Sequence, residues 1–446
     1  MSRFSLALYN LIFPILLLLL LPGYLVRIWK RGGYRSKIAQ RVGIFDEKTR
    51  ARIGTGRLWL HAVSVGEVGI ALKFADEFLR RNPQSRFVIS TTTSTGLAIL
   101  EKRASSRLEP LANPIDLPIL TSRLVRKISP SVLIMIEADL WPNRIEACRK
   151  LGIPVALINA RLSSRSESRY RLVRPFTSSF FNRLGLLALT EHDDKARWLS
   201  LRVSPAILHW TGNIKYDNDA TASLPDKTGV PAFSNFPKFL GWQVTDPLFL
   251  AASTHEGEEM DVARAYCELC REIPTLRLVI APRHVERRSS IVLLLEGLGL
   301  SVSLRSKEAV SPADVLLLDT TGELASWYPL ATCVFVGKSL PSSVNRGGQN
   351  MIEPLQAGKP VLIGPHTANF EPLASHLVES GAALRVSDIA SITAAFHKLH
   401  KNHTLREQTV ASAEMVLKPH QGATVRTCEF VEKLLLRPLP EKSGGE

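Results

Sequence analysis

The order of apolar and polar positions divides the chain into three stretches. The first is an uncharged apolar run from Leu6 to Val26 that contains six consecutive leucines, Leu16 to Leu21. It reaches the roughly 20 residues a helix needs to cross the hydrocarbon core of a bilayer. Arg27, Lys30, Arg31, Arg35, Lys37 and Arg41 follow it, and basic residues beside a span favour the cytoplasmic side. A retained transmembrane anchor with a basic juxtamembrane segment is therefore expected over residues 1–35, holding the rest of the chain at the cytoplasmic face of the inner membrane. The competing reading is a cleaved signal peptide starting at Arg3. It lacks a small-residue cleavage site after the apolar block and has its charge on the opposite flank. Pro14 and Pro22 leave a shallower anchor open.

The other two stretches alternate short apolar runs with amphipathic patterns. The runs are Leu58 to Val63, Phe87 to Ser90, Val132 to Ile136, Pro154 to Ile158 and Leu186 to Leu189. After a segment rich in Pro, Ser, Asn and Asp from Asp217 to Lys238, they resume. The second series is Leu248 to Ala252, Leu276 to Ala281, Val315 to Leu318, Cys333 to Val336 and Pro360 to Ile363. Near-continuous apolar strands separated by helices indicate parallel sheets covered on both faces. The prediction is α/β: two Rossmann-like, doubly wound domains, 36–218 and 219–446 (the latter with the linker), facing a cleft at the carboxyl ends of their strands. Polar, Gly-bearing segments follow many of these strands, where such folds place their chemistry.

Composition narrows the partners. The 446 residues are 45% hydrophobic, and 56 Lys and Arg against 41 Asp and Glu give a net charge of +15. That charge suits an anionic membrane surface or a phosphorylated substrate. No aromatic-studded nucleic-acid motif accompanies it, so nucleic acid is not expected. Cys267-x-x-Cys270 is the one close cysteine pair among five and has no second pair to complete a zinc site. The scattered thiols fit a reducing compartment.

Several motifs carry two readings each. Ser64-Val65-Gly66-Glu67 joins a strand to a helix; Glu67 is either a helix-start glutamate complementing the dipole or a carboxylate able to take a proton from a hydroxyl. Glu137 and Asp139 end an apolar strand before Trp141-Pro142-Asn143, and either cap the next helix or serve a site, since unpartnered buried acids are costly. Lys215 is either solvated or part of the ligand site. Asp217-Asn218-Asp219 has the D-x-D form of metal-dependent sugar transferases but no strand before it. Arg346-Gly347-Gly348-Gln349-Asn350 offers successive backbone N–H groups to cradle a phosphate. With Arg283 it favours a nucleotide pocket, although neither a P-loop nor a dinucleotide fingerprint is present.

Taken together, these segments resemble the 3-deoxy-D-manno-octulosonic acid (Kdo) transferases of lipopolysaccharide synthesis. The resemblance rests on Trp59-x-His61-x-x-Ser64-x-Gly66-Glu67, the Thr91–Gly96 run, Glu137-x-Asp139-Leu-Trp-Pro-Asn143, Gly212-Asn-x-Lys215 and Ser253-Thr-His-Glu-Gly-Glu258. It continues through Ala281-Pro-Arg283-His284, Gly322-Glu-Leu324, Arg346-Gly-Gly-x-Asn350-x-x-Glu353-Pro354, Gly364-Pro-His366-x-x-Asn369-Phe370 and Gln421-Gly-Ala. Two positions depart from the family pattern: Gln349 stands where a histidine is usual, and Lys338 where a second glycine follows Gly337.

The resemblance implies a GT-B type, inverting glycosyltransferase that moves Kdo from CMP-Kdo to a lipid A precursor, lipid IV(A), releasing CMP. It implies Glu67 as general base and Glu137 and Lys215 as groups stabilising the transition state. Pro282, Arg283, Gly322, Glu323, Leu324, Asn350, Met351, Ile352 and Glu353 match the CMP-binding segments. It implies no cofactor and no metal, Arg283 and backbone amides meeting the leaving phosphate. The readings set against it are a membrane-bound transferase with a UDP-sugar donor and a non-catalytic lipid-binding scaffold.

Overall fold

The computed structural model of the chain describes residues 3–31, 37–137, 140–162, 164–217, 241–243, 245–307 and 312–437, and the side chains of its first helix from Phe4 to Leu19. It divides into two compact units, Met1–Asp217 with His420–Glu446, and Asn218–Pro419.

The first unit is built on seven parallel strands: β1 Leu58–Ala62, β2 Phe87–Thr91, β3 Leu108–Ala112, β4 Val132–Ile136, β5 Val155–Ala160, β6 Leu186–Leu189 and β7 Leu208–Trp210. Their order is β3-β2-β1-β4-β5-β6-β7. The central strands are buried along their whole length, with one apolar cluster around Trp59, Leu133 and Phe181 and another around Leu60, Phe74 and Ile134. The second unit repeats the scheme with β8 Leu248–Thr254, β9 Arg277–Pro282, β10 Val302–Leu304, β11 Val315–Leu317, β12 Cys333–Val336, β13 Val361–Ile363 and β14 Leu384–Arg385. These also run parallel, in the order β10-β11-β9-β8-β12-β13-β14. The four strands that the hydrophobic pattern does not show, β3, β7, β10 and β14, are the four sheet edges. Edge strands are short and tolerate polar residues and proline; β3 carries Glu109 and Pro110, and β14 is two residues long.

One expected boundary is corrected. The chain's last described helix, Ala423–Leu435, belongs to the first unit and not to a domain running from 219 to 446. Its Cys428, Val431 and Leu434 join the Phe74–Phe78 core. Its amino end is held by Asp217, whose two carboxylate oxygens accept from the N–H groups of Gly422 at 2.6 Å and Thr424 at 2.7 Å. The linker positions 218–240 lie outside the described residues.

The chain opens with a 29-residue helix, Arg3–Arg31. Tyr9 donates to Asp116 Oδ2 at 3.1 Å and Asn10 Oδ1 accepts from the Asn143 side chain at 2.8 Å, which fixes one face to the first unit. Phe4, Leu11, Ile15, Leu18 and Leu19 are exposed. Among the described residues, no helix is long and apolar enough to cross a membrane; the side chains of the expected span past Leu19, up to Val26, lie outside the described ones.

Candidate active site

In the first sheet the strand order reverses between β1 and β4, which lie side by side. An open α/β sheet leaves its crevice at that point. After β1, Ser64 caps helix Val65–Arg81: its Oγ accepts from Glu67 N at 3.3 Å and donates to Glu67 Oε1 at 2.8 Å, while Glu67 Oε2 accepts from Val63 N at 2.7 Å. This arrangement resembles a capping box but reaches the N–H of Val63, one residue before the cap, and pins a carboxylate that is only 6% exposed at the mouth of the sheet. Glu67 therefore does structural duty at the carboxyl end of β1.

After β4, Glu137 takes a left-handed backbone, φ +63°. Its Oε1 accepts from the Lys215 ammonium at 2.6 Å. A Cβ added to Gly66 would lie 3.8 Å from Lys215 Nζ, so the ammonium reaches the start of the Glu67 helix. Lys215 is aimed there by Asn213, whose Oδ1 accepts from Lys215 N at 3.0 Å, and whose own N–H donates to His420 Nδ1 at 3.2 Å. Glu67, Glu137 and Lys215 thus meet at one switch point. Asp139 lies outside the described residues.

Glu137 does not cap the following helix, Pro142–Lys150. Asp116 does: its carboxylate, fully buried, accepts from Asn143 N at 3.0 Å and Arg144 N at 3.1 Å. The Arg144 guanidinium lies 4.9 Å and 5.4 Å from the ring centres of Trp59 and Trp141, a cation–π contact on both. His61 shares a 2.9 Å contact with Ser90 Oγ, and burial holds its imidazole well below the ordinary range. The Trp59-x-His61 segment is therefore scaffold. So is Thr93, which caps helix Ser94–Lys102 by accepting from Gly96 N at 3.2 Å.

In the second sheet the order reverses between β8 and β12. Gly337, after β12, lies against β8 so tightly that a Cβ would fall 2.5 Å from Ser253 O and 2.6 Å from Thr254 Cα. Glu258, fully buried, ties the two strand ends together, accepting from the N–H groups of His255, Lys338, Ser339 and Leu340 at 2.7–3.0 Å. Beside this point Pro282, Arg283, Gly322, Glu323 and Leu324 line one cavity of about 140 Å³, with Ser253 and Thr320 in its wall. Arg283 is exposed there, whereas Glu323 Oε2 is engaged by Arg305 at 2.8 Å.

Asn350, Met351, Ile352 and Glu353 sit outside that lining, at the start of the short helix Ile352–Gln356. Asn350 Oδ1 accepts from Ile352 N at 3.0 Å and its amide donates to Glu353 Oε1 at 2.8 Å. The side chains of Met351 and Ile352 are buried.

The expected phosphate cradle is corrected. The N–H groups of Gly347 and Gly348 donate to Lys338 O at 3.0 and 2.8 Å, and that of Gln349 to Gly337 O at 3.1 Å. These three donors are spent inside the loop. The Gln349 side chain donates instead to His255 Nε2 at 2.9 Å, which requires the neutral imidazole. Burial first, then Lys338, His284, Arg287 and Arg283, hold His255 down to about 4.

A family model described as 3-deoxy-D-manno-octulosonic-acid transferase (kdotransferase) matches residues 36–218. A 3-deoxy-D-manno-octulosonic acid transferase of Haemophilus influenzae is 30% identical over 407 residues, 91% of this chain and 92% of that protein. The chain belongs to this family. The transferase of the same name from Chlamydophila psittaci is 29% identical, covering 93% of each chain. Among solved structures, the UDP-GlcNAc 2-epimerase of Neisseria meningitidis, bound to UDP-GlcNAc, superposes with a TM-score of 0.58 at 15% identity. It covers 86% of this chain and 100% of that one, a likeness of fold alone, that of the GT-B glycosyltransferases.

Glu258 and Asn213 lie within motifs that carry the family resemblance, but those motifs do not show their structural roles, and Asp116 lies outside them. Glu258 and Asp116 are buried carboxylates that accept from backbone N–H groups far along the chain, whereas buried Asn213 accepts from Lys215 N, two residues on.

Proposed function

We propose that the protein transfers Kdo from CMP-Kdo to a hydroxyl of a lipid A precursor, releasing CMP. The observation that carries the reading is the meeting of Glu67, Glu137 and Lys215 at the first sheet's switch point. The acceptor oxygen forms its bond to the anomeric carbon as the bond from that carbon to the CMP phosphate oxygen breaks. Glu67 takes the hydroxyl proton. The Lys215–Glu137 pair sets the field around the oxocarbenium-like centre, where fixed charges act without reorganising. In the second unit, Pro282, Arg283 and the Gly322–Leu324 turn hold the cytidine nucleotide, with Asn350–Glu353 beside them. Arg283 meets the phosphate as charge develops on leaving CMP. Inversion at the anomeric centre follows from a single displacement.

The same proposal places the protein at the inner membrane by a single N-terminal helix, with both units on the cytoplasmic side. The exposed apolar residues Phe4, Leu11, Ile15, Leu18 and Leu19 support it, as does the basic segment after Val26. The test is CMP release from CMP-Kdo with and without lipid IV(A). Acceptor-dependent release that Glu67→Gln abolishes supports the proposal. Release from a UDP-sugar instead of CMP-Kdo, or no turnover with either, overturns it.

A further inference from the structure

We propose that Lys338 contacts an oxyanion of the bound donor, the phosphate or the sugar carboxylate, from the switch point of the second sheet. The inference rests on the donor reading of this unit given above. Lys338 is a half-buried residue with a left-handed backbone, φ +62°, a conformation that favours glycine. The strain is imposed from two sides: Glu258 Oε2 accepts from Lys338 N at 2.7 Å, and Lys338 O accepts from Gly347 and Gly348. A strained residue that its surroundings over-determine at the switch point of a sheet points to use of its side chain.

The surroundings say what use. Val336, two residues before, pairs with Ala252 across the strand reversal, so Lys338 follows β12 at the level where β8 ends in Ser253 and Thr254 and passes to His255. Ser253 is in the wall of the Arg283 cavity, and the His255 ring meets that of His284 at 5.5 Å. Among the described residues no carboxylate pairs with the Lys338 ammonium; Glu258, which holds its backbone N–H, is filled by four N–H groups. Its charge is felt by His255, which stays neutral. The glycine loop that would otherwise cradle an anion has spent the N–H groups of residues 347 to 349 on the carbonyls of 337 and 338. An oxyanion entering here therefore has side-chain cations to meet, Arg283 in the cavity wall and Lys338 beyond that wall near His255, in place of a backbone nest.

The experiment titrates the full-length protein with CMP and with cytidine, and measures KM for CMP-Kdo, in Lys338→Met, Lys338→Arg and Lys338→Gly. The expected result is a loss of about tenfold or more in Lys338→Met and Lys338→Gly, the scale of a charged hydrogen bond, with cytidine affinity unchanged and Lys338→Arg close to wild type. Lost CMP affinity assigns the phosphate; unchanged CMP affinity with a raised KM for CMP-Kdo assigns the carboxylate. Lys338→Gly should melt no lower than wild type, since glycine relieves the backbone, so affinity and stability part company. Unchanged CMP affinity and KM in Lys338→Met overturn the assignment alone, as does a loss of binding that follows a lowered melting temperature in all three variants. Wild-type protein that binds no CMP overturns the donor reading, and this assignment with it.

Discussion

Lys215 donates to Glu137 at 2.6 Å while Glu137 holds a backbone φ of +63°. A β-carbon at such a φ costs about 1–3 kcal/mol, and the neighbouring strands fix it in place. Glu137→Gln and Glu137→Gly both remove the charge, but only glycine relieves the backbone. The glycine variant should be the more stable by about 1 kcal/mol, while both lose about a hundredfold in kcat. Combining either with Lys215→Met should cost little more than one change alone, because the pair acts as a unit. Additive losses in that cycle would show two independent roles.

Glu67→Gln should lower turnover by about two to four powers of ten, the range for a lost general base, and leave CMP affinity intact. The amide has to reorganise against Val63 N–H, which now donates to Glu67 Oε2, so a small drop in melting temperature, worth about 1 kcal/mol, should accompany it. Turnover near wild type would remove Glu67 from the chemistry.

Glu67 and Glu137 were visible in the sequence because each follows a strand that is buried on both faces, and such strands stand out as unbroken apolar runs. β1, β4, β8 and β12 are of this kind, and they border the two reversals of strand order. Lys215 follows the edge strand β7 and stood out only through its Gly212-Asn-x-Lys215 motif. The edges β3, β7, β10 and β14 were not visible, since an edge strand needs no apolar face of its own. The occupancy of backbone donors was also illegible. Gly347-Gly348 reads as an open anion nest, and only the fold shows Lys338 O accepting from both. The return of the Ala423–Leu435 helix to the first unit depends on Asp217, whose D-x-D setting suggested other chemistry.

His255 gives a pH signature. Its folded value lies near 4, below its ordinary 6.5, so the unfolded chain takes up the proton first. The stability it contributes is complete above about 6.5 and is lost as pH falls from there toward 4. Melting curves over pH 4–8 should show a steeper acid-side decline for wild type than for His255→Gln. Parallel declines would mean that His255 is charged in the folded protein.

Asp217 has both carboxylate oxygens committed to the N–H groups of Gly422 and Thr424. Asp217→Ala should cost about 1–2 kcal/mol, the value of a lost helix cap, and act through stability. Turnover should be insensitive to EDTA before and after the change. Inhibition by chelation that Mg²⁺ or Mn²⁺ reverses would require metal ligands elsewhere in the chain.

The opening helix has two duties that separate variants can divide. Tyr9 is bonded to the fully buried Asp116, so deleting residues 1–26 would remove part of the first unit's packing together with the proposed anchor. Tyr9→Phe should lower stability by about 1 kcal/mol, and Asp116→Ala by about 3–5 kcal/mol, because it leaves the buried Arg144 charge uncompensated. Neither should change attachment to vesicles. Replacing the exposed Leu11, Ile15, Leu18 and Leu19 by serine should do the opposite, weakening attachment with little effect on the melting temperature. What remains should come from Arg27 to Arg41 at about 1 kcal/mol per charge near an anionic surface, and should fade with salt. Flotation of each variant across a salt series, with turnover on membrane-embedded lipid IV(A), checks both duties. The serine variant should keep its rate on detergent-dispersed acceptor and lose it on membranes, since the helix raises local concentration without touching the reacting groups. Full activity on membranes from an unattached protein would leave the helix as a packing element alone.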